Sequence, residues 1–233
     1  MSKKIILDCD PGHDDAVAIM LAAASDDIDL LGITCVGGNA TLEKTKLNAL
    51  KVCSLIGRTD IKIYAGSNHP LKFDLVTAEH VHGQSGLDIE GDPIIVDENY
   101  NIEKLNAIDF IIKSCHEIED TIYLCPTGPL TNIALALKKD PTIKNKIKEI
   151  IFMGGAAMCL GNITPAAEFN IYVDPHAANI VLASGIPLTM MGLDVTHKVN
   201  VNEDIIRSIV SNNNKSSNFF ADLMKFYSRS HKQ

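Results

Sequence analysis

Short apolar runs alternate along the chain with longer segments in which apolar residues recur at helical spacing. The apolar runs have the length and composition of buried strands and lie at residues 3–7, 30–36, 61–64, 122–125, 147–153 and 188–191. The segments with helical spacing lie at residues 14–24, 42–56, 106–115, 130–137 and 177–182. Strands that are apolar throughout and alternate with helices are typical of a parallel sheet covered by helices on both faces. We therefore predict an α/β fold with an open, mostly parallel sheet, formed by a single domain over residues 1–233.

Two long polar connections, at residues 66–96 and 154–174, interrupt this alternation. Loops longer than about 12–15 residues in a compact domain are usually functional or disordered. In open α/β sheets, ligands bind beyond the carboxyl ends of the strands. We therefore expect both connections to meet, at one rim of the sheet, the acidic segment that follows the first strand.

Composition and charge argue against some classes of function and favour others. The 233 residues are 46% hydrophobic and carry a formal net charge of −8, which argues against a nucleic-acid or anionic-membrane surface and favours a bound cation. No window approaches the ~18 consecutive apolar residues of a membrane helix, and the apolar run at residues 5–7 is too short for a signal peptide. The six cysteines include no Cys-x-x-Cys pair. We expect a soluble protein of the reducing cytoplasm.

The acidic segment at residues 8–15 reads Asp-Cys-Asp-Pro-Gly-His-Asp-Asp and places four carboxylates at a strand-to-helix turn. An isolated Asp at such a turn is usually only a helix N-cap. Four carboxylates this close would repel one another and raise their pKa values unless a positive charge neutralises them. A hard divalent cation with oxygen ligands is the natural counter-charge.

Spacing tests two other classes of acidic site. An EF-hand that starts at Asp8 would need Gly and Glu where His13 and Ile19 stand, so that class fails. A magnesium phosphatase with an aspartyl nucleophile also begins with Asp-x-Asp after its first strand. Gly12 at the fifth position disfavours this alternative, and no suitable downstream lysine motif supports it.

The whole acidic segment resembles the signature Asp-x-Asp-Pro-Gly-x-Asp-Asp of the inosine-uridine nucleoside hydrolase family. Further motifs follow in the family's order: Gly-Gly-Asn at 37–39, His-Gly-Gln-Ser-Gly-Leu-Asp at 82–88, Thr-Gly-Pro-Leu-Thr-Asn at 127–132, Met-Gly-Gly at 153–155, and Asn162 with Glu-Phe-Asn at 168–170. The resemblance covers residues 3–230 and implies the family's Rossmann-like fold. With His13 at its variable position, the acidic segment is most similar to that of the family's pyrimidine-preferring bacterial branch.

This resemblance implies a reaction and a cofactor. The reaction is hydrolysis of the N-glycosidic bond of a ribonucleoside, such as uridine or cytidine, to ribose and free base. The resemblance places Ca²⁺ on Asp10, Asp15 and the backbone carbonyl of Thr127, with Asp10 as the general base that takes a proton from the attacking water. Asp8 is expected to orient the ligands.

The resemblance also implies the groups that contact the substrate. Asp14 and Asn39 are expected near the 2′ and 3′ hydroxyls of ribose, whereas Asn162, Glu168 and Asn170 are expected near the 3′ and 5′ side. His82 is expected as a catalytic group near the base or the sugar edge, and Met153 beneath the ribose. Each has a structural alternative, because Asn is common in turns, Met in cores, and a lone loop His is usually solvated.

The resemblance implies a homo-oligomer, a dimer or tetramer, and it breaks down at the C-terminus. The family's last motif is a His-Asp pair that supplies a further calcium carboxylate, whereas His231 here is followed by Lys232. We therefore expect a domain that is incomplete and truncated at the C-terminus, and slow hydrolysis of uridine or inosine. A weakly active or inactive homologue that binds ribose or a cation remains an alternative.

Overall fold

The computed structural model describes residues 2–230 and contains one six-stranded sheet. Its strands are β1 (Lys3–Cys9), β2 (Ile28–Cys35), β3 (Ile63–Ala65), β4 (Ile122–Pro126), β5 (Ile147–Met153) and β6 (Leu188–Met191). The strands are arranged in the order β3-β2-β1-β4-β5-β6, and every neighbouring pair is parallel. The predicted open parallel sheet is therefore confirmed.

Helices connect the strands and cover both faces of the sheet. They are α1 (His13–Ala24), α2 (Leu42–Leu55), α3 (Glu79–His82), α4 (Ala107–Glu117), α5 (Thr131–Lys139), α6 (Phe169–Val173), α7 (Pro175–Leu182), α8 (Leu193–Thr196), α9 (Glu203–Val210) and α10 (Lys215–Ser230), with a 3₁₀ helix at Pro141–Asn145. The predicted helices and strands are all present, with their ends shifted by one or two residues. His231 lies outside the described residues. Within residues 2–230 no helix has the length and apolar character needed to cross a membrane.

The core has two parts because successive side chains of a strand point to opposite faces of the sheet. Ile6 of β1 packs in the cluster formed with α4, α5 and α7, whereas Leu7 packs in the cluster formed with α1 and α2. In α10, Phe219 and Leu223 join the second cluster, since side chains four positions apart lie on the same face of a helix. Both faces of the central strands are buried, which explains why their sequences are continuous apolar runs.

The two long connections differ from the prediction, because each contains a short helix. α3 lies within the first connection, and α6 lies at the end of the second. Both helices are no longer than about one and a half turns. Such short elements carry too few residues to show a helical period in the sequence.

Candidate functional site

The site lies where the strand order changes direction. β1 and β4 are neighbours, but β1 leads to β2 on one side and β4 leads to β5 on the other. Asp10 follows β1 and Thr127 follows β4, and the backbone N–H of Thr127 donates to the carbonyl of Asp8 at 2.8 Å. The crevice at such a topological switch point is the usual ligand site of open α/β sheets.

Asp10 is a fully buried carboxylate with one unsatisfied oxygen. Its Oδ2 accepts a 2.6 Å hydrogen bond from the backbone N–H of Asn39. Its Oδ1 is buried and has no hydrogen-bond partner among the described residues. Burial, with the neighbouring charge of Asp15 as the next cause, raises the pKa of Asp10 well above its usual value. A buried acceptor in this state calls for a proton or a cation.

Two glycines allow the chain to close around this carboxylate. A Cβ atom at Gly38 would overlap Oδ2 of Asp10, and a Cβ at Gly128 would overlap Oδ1. Gly38 follows β2 and Gly128 follows β4, so the turns after two strands approach Asp10 from different sides. Any side chain at either position would have to displace the carboxylate.

Asp15 lies beside Asp10 on the first turn of α1. Its Oδ1 accepts a 2.6 Å hydrogen bond from the hydroxyl of Thr127, and its Oδ2 accepts a 3.0 Å bond from the N–H of Gly12. Nδ2 of Asn39 lies 3.3 Å from the same Oδ2, so Asn39 links Asp15 to Asp10. Burial, and then the charge of Asp14, raise the pKa of Asp15 to about 7.

The three residues predicted to hold a cation are therefore brought together. Among residues 2–230 the structure forms no group of three or more His, Cys, Asp or Glu side chains that could hold a metal ion. A cation here would rest on the carboxylates of Asp10 and Asp15 and on the carbonyl of Thr127. The donor set fits a hard cation, because all its atoms are oxygens and Oδ1 of Asp10 has no hydrogen-bond partner within residues 2–230.

The carboxylate of Asp8 hydrogen-bonds to two neighbouring elements, β2 and α5. Its Oδ1 accepts hydrogen bonds from the hydroxyl of Thr34, at 2.6 Å, and from Nδ2 of Asn132, at 2.8 Å. Oδ1 of Asn132 accepts the N–H of Ser67 at 2.8 Å, which anchors the start of the first long connection. Burial raises the pKa of Asp8 to about 7. Asp8 thus ties β1 to β2 and α5 directly beneath the site.

Glu168 and Asn170 meet the site from α6. The carboxylate of Glu168 is buried and accepts the N–H groups of Asn170 at 2.9 Å, Gly155 at 2.9 Å and Ile171 at 3.2 Å. Burial is the main cause that raises the pKa of Glu168. Nδ2 of Asn170 donates to the carbonyl of Thr127 at 2.8 Å. The predicted substrate residues of this segment therefore adjoin the predicted cation ligands.

Three other predicted substrate residues occupy different environments. Met153 is half-buried at the end of β5, and its carbonyl accepts from Nδ2 of Asn170 at 3.2 Å. Asp14 is exposed on the first turn of α1. Asn162 is exposed as well, and its Oδ1 accepts the N–H of Phe169 at 2.8 Å. Asn162 thus closes its own loop onto α6.

His82 ends α3 and is buried, although the sequence suggested a histidine in a loop. A Cβ at Gly12 would lie 2.7 Å from Nδ1 of His82 and 3.0 Å from Nδ2 of Asn39. His82 therefore lies directly over the turn that follows Asp10. Nδ2 of Asn48 donates one hydrogen bond to the carbonyl of Pro11, at 3.1 Å, and another to a carbonyl in the loop after α3. These two bonds hold that loop against the turn.

Sequence reasoning missed three residues near the site. Asn48 is a buried amide among the mostly apolar buried residues of α2, and that contrast is a usable signal. His13 is fully buried beside His82, and burial lowers its pKa. The ring of Tyr227, on α10, lies 5.7 Å from the ring of His13 and 6.0 Å from that of His82. Burial raises the pKa of Tyr227 to about 12. No local pattern relates residues this far apart in the chain.

Comparison with known sequences gives matches over the whole chain. The family model described as inosine-uridine preferring nucleoside hydrolase matches residues 5–233. The chain is 46% identical over 227 residues to the pyrimidine-specific ribonucleoside hydrolase RihA of Photobacterium profundum, covering 97% of this chain and 72% of that relative. RihA of Escherichia coli O1:K1 is 46% identical over 232 residues, covering 100% of this chain and 73% of the relative.

Comparison with solved structures gives the same fold. The plant nucleoside hydrolase PpNRh1 superposes with a TM-score of 0.93 at 34% identity, covering 100% of this chain and 73% of that one. A purine-preferring ribonucleoside hydrolase from Gardnerella vaginalis superposes with a TM-score of 0.91 at 38% identity, covering 99% of this chain and 73% of that one. The likeness in structure thus extends over nearly the whole of this chain.

Proposed function

The chain belongs to the inosine-uridine preferring nucleoside hydrolase family and is by that membership a ribonucleoside N-glycosidase, and we propose that it acts on pyrimidine ribonucleosides with calcium as its cofactor. The observation that carries the proposed mechanism is the buried Asp10 carboxylate, which has one unsatisfied oxygen at the switch point of the sheet. Because the chain belongs to this family, the alternative function of a magnesium phosphatase is excluded.

The proposed reaction consumes one water. The water oxygen forms a bond to C1′ of the ribose as the bond from C1′ to the base nitrogen breaks, through an oxocarbenium-like transition state. The bonding electron pair leaves with the base, which takes up one proton. Asp10 accepts the proton that the water releases, a role for which its Oδ1 is available, since this oxygen has no hydrogen-bond partner among residues 2–230. The products are ribose and free base.

The proposed cation is held by Asp10, Asp15 and the carbonyl of Thr127. When bound, Ca²⁺ would supply the positive charge that favours ionised carboxylates and lowers the pKa of a nearby water. The hydroxyl of Thr127 and the N–H of Gly12 fix the carboxylate of Asp15 for this purpose. The raised pKa values of Asp10 and Asp15 support the proposal, because burial and the neighbouring carboxylates disfavour the ionised forms and a cation would offset both effects.

Ribose recognition is proposed for Asp14, Asn39, Glu168 and Asn170, with Met153 packed against the sugar. Asn39 and Asn170 support this proposal, since their amides adjoin Asp10 and Thr127 respectively. A site built to hydrogen-bond a hydroxyl rejects the analogue that lacks it, by up to ~10⁴-fold. Uridine should therefore be hydrolysed with a much higher kcat/KM than 2′-deoxyuridine. Equal values for the two nucleosides would contradict this pocket.

The proposed preference for pyrimidines rests on the relatives. Those named pyrimidine-specific are 46% identical to this chain, whereas the purine-preferring structure is 38% identical. The test is to compare kcat/KM for uridine, cytidine and inosine. Higher values for both pyrimidine nucleosides are expected, and a higher value for inosine would contradict the preference. Sugar binding without release of any base would favour the alternative of an inactive, ribose-binding homologue.

The proposal also covers the cellular location and the assembly of the chain. The six cysteines are free thiols, and four of them are buried, which supports a reducing compartment such as the cytoplasm. A homo-oligomer is proposed from the family resemblance. Light scattering of the purified chain would test the assembly, and a monomer would contradict it.

A further inference from the structure

Two polar side chains of α2 bind the segment that contains α3, residues 79–88, which we name the α3 segment. Lys44 and Asn48 are four positions apart on α2 and are therefore neighbours on one face of that helix. We propose that they are positioning residues, which together hold His82 over the turn that follows Asp10. The effect of this pair on catalysis rests on the proposed function, in which His82 acts near the base or the sugar.

The α3 segment binds its own N–H groups and leaves two carbonyls to be bound from outside. The carboxylate of Asp88 accepts the N–H groups of Gln84, at 2.9 Å, and Ser85, at 3.1 Å. Gly83 allows this close turn, because its φ is +83° and a Cβ there would overlap the Asp88 carboxylate. The carbonyls of Gln84 and Ser85 both accept hydrogen bonds from α2. The α3 segment thus depends on α2 to satisfy its backbone.

Lys44 binds both ends of α3. Its Nζ donates to Oε1 of Glu79, the first residue of α3, at 2.7 Å, and to the carbonyl of Gln84, just beyond the end of α3, at 2.5 Å. α3 is a single helical turn, and a helix this short is not stable without contacts from outside. Lys44 supplies such contacts on each side of His82.

Asn48 joins the α3 segment to the turn after Asp10. Its Nδ2 donates to the carbonyls of Ser85, at 2.9 Å, and of Pro11, at 3.1 Å. Carbonyls only accept, so both hydrogens of this amide nitrogen are used. Oδ1 of Asn48 is buried and has no hydrogen-bond partner within residues 2–230, which lowers stability. The two carbonyls that Asn48 joins therefore explain its presence better than a contribution to the core does.

Close packing transmits this attachment to His82. A Cβ at Gly86 would lie 2.8 Å from Cβ of Ala40 and 3.4 Å from Nδ2 of Asn48, so the α3 segment rests directly on α2 and the turn before it. A Cβ at Gly12 would lie 2.7 Å from Nδ1 of His82. Movement of the α3 segment away from α2 would therefore carry His82 away from the turn at Gly12.

The two positioning residues contribute unequally. Asn48 is 1% exposed, and its loss leaves the buried carbonyl of Pro11 without its donor. The side chain of Lys44 is 36% exposed, so water screens its ion pair with Glu79 and can replace it at the carbonyl of Gln84. We therefore expect substitution of Asn48 to loosen the α3 segment more than substitution of Lys44.

Hydrogen–deuterium exchange of the full chain, read from peptides that cover residues 79–88, tests the positioning without turnover. We expect exchange in this segment to speed up about tenfold or more in Asn48→Leu and about threefold in Lys44→Met, because local opening becomes easier. Lys44→Met changes a partly exposed side chain, so the test decides the question even where Asn48→Leu fails to fold.

Two substitutions on the same helix are matched controls. Thr45→Val removes a buried hydrogen bond, in which the Thr45 hydroxyl donates to the carbonyl of Val36 at 3.0 Å. Lys46→Met removes an ion pair with Glu43 inside α2. Residues 79–88 should exchange in both controls as in the native chain. A native exchange rate in Lys44→Met or in a folded Asn48→Leu, or an equal increase in the controls, would overturn the proposal.

Steady-state kinetics with uridine measures the consequence for the reaction. We expect kcat to fall about tenfold or more in Asn48→Leu with a smaller change in KM, because a displacement of about 1 Å can cost up to ~10²-fold in rate. Lys44→Arg keeps the donors for Glu79 and Gln84 and should restore the kcat that Lys44→Met loses. Native kcat in Asn48→Leu and Lys44→Met would overturn the effect on catalysis. A native chain that releases no uracil would instead contradict the proposed function, and the exchange result would still decide the positioning.

Discussion

At the scale of single residues, the site depends on carboxylates placed where water cannot solvate them. Asp8, Asp10 and Asp15 are all buried and all have raised pKa values. Their hydrogen bonds come from neutral donors such as Thr34, Thr127 and Asn39, which satisfy some oxygens without supplying charge. The two carboxylates proposed as cation ligands thus lack the positive charge that the proposed cofactor would supply.

Removing the charge of Asp10 tests the cation site. Asp10→Asn keeps the shape of the side chain but removes the carboxylate with the unsatisfied oxygen, so we predict that calcium affinity falls by at least about tenfold. Titration calorimetry on the purified chain measures this directly. Asp26→Asn, at an exposed position before β2, is the control and should bind as the native chain does. Equal affinity in Asp10→Asn and the control would contradict the assignment.

The raised pKa of Asp8 predicts that the free energy of unfolding depends on pH. Its pKa of about 7 in the folded chain lies above the ordinary 3.8, so between these values the folded state binds more protons than the unfolded state. The contribution of Asp8 to stability is therefore present below pH 3.8 and is lost as pH rises through about 7, by up to about 1.4 kcal/mol per pH unit.

Thermal unfolding without calcium tests this sign. Because other groups titrate in the same range, the informative quantity is the difference in Tm between Asp8→Asn and the native chain. We predict that this difference shifts in favour of Asp8→Asn between pH 5 and pH 8, since Asn carries no charge that must be buried. A difference that stays constant or moves the other way would show that Asp8 ionises normally.

At the scale of elements, the sequence predicts the sheet and the long helices better than the parts that complete the site. A continuous apolar run identifies β1 because both faces of this strand are buried, Ile6 in one cluster and Leu7 in the other. The sequence shows no helical period of apolar residues at α3 or α6, because these helices are stabilised by distant or flanking polar groups rather than by an apolar face. The N–H of Ala78 before α3 donates to the carbonyl of Asn39, and Glu168 caps α6.

The same distinction separates the site residues. Asp10, Asp15, Thr127 and Asn39 could be placed at one rim of the sheet because each belongs to a motif that follows the carboxyl end of a strand. Asn170 could be placed there because its motif lies in the second long connection. The pairing of His13 with His82 is not predictable, because it depends on how the loop after α3 folds back over α1. Local sequence patterns do not predict a contact between residues that are 69 positions apart.

The cap of α6 can be tested by substitution. Glu168→Ala leaves the N–H groups of Asn170, Ile171 and Gly155 without their acceptor, so we predict a loss of about 1–2 kcal/mol in the free energy of unfolding. Asn170 should also become less well placed, which weakens ribose binding. Denaturant unfolding and ribose titration measure the two effects. Glu168→Gln keeps one acceptor and should be intermediate, whereas exposed Glu98→Ala should match the native chain.

At the scale of the whole molecule, the strand order brings distant segments to one place. β1 and β4 are far apart in sequence but adjacent in the sheet, so Asp10 and Thr127 meet at their carboxyl ends. The two long connections then add His82 from one side and Asn170 from the other. A parallel sheet with this strand order brings motifs that are spread over most of the chain together in one site. Motifs that follow successive strands in the sequence therefore predict a shared site.

The most direct test of the proposed activity follows the products released from uridine. The full chain is incubated with uridine and calcium in a buffer without phosphate, and uracil and reducing sugar are both quantified. We predict that uracil and ribose form in equal amounts, that Asp10→Asn abolishes both, and that Asp26→Asn leaves both unchanged. Release of neither product above the protein-free blank, or equal release by Asp10→Asn and the native chain, would contradict the proposal that Asp10 hydrolyses the N-glycosidic bond.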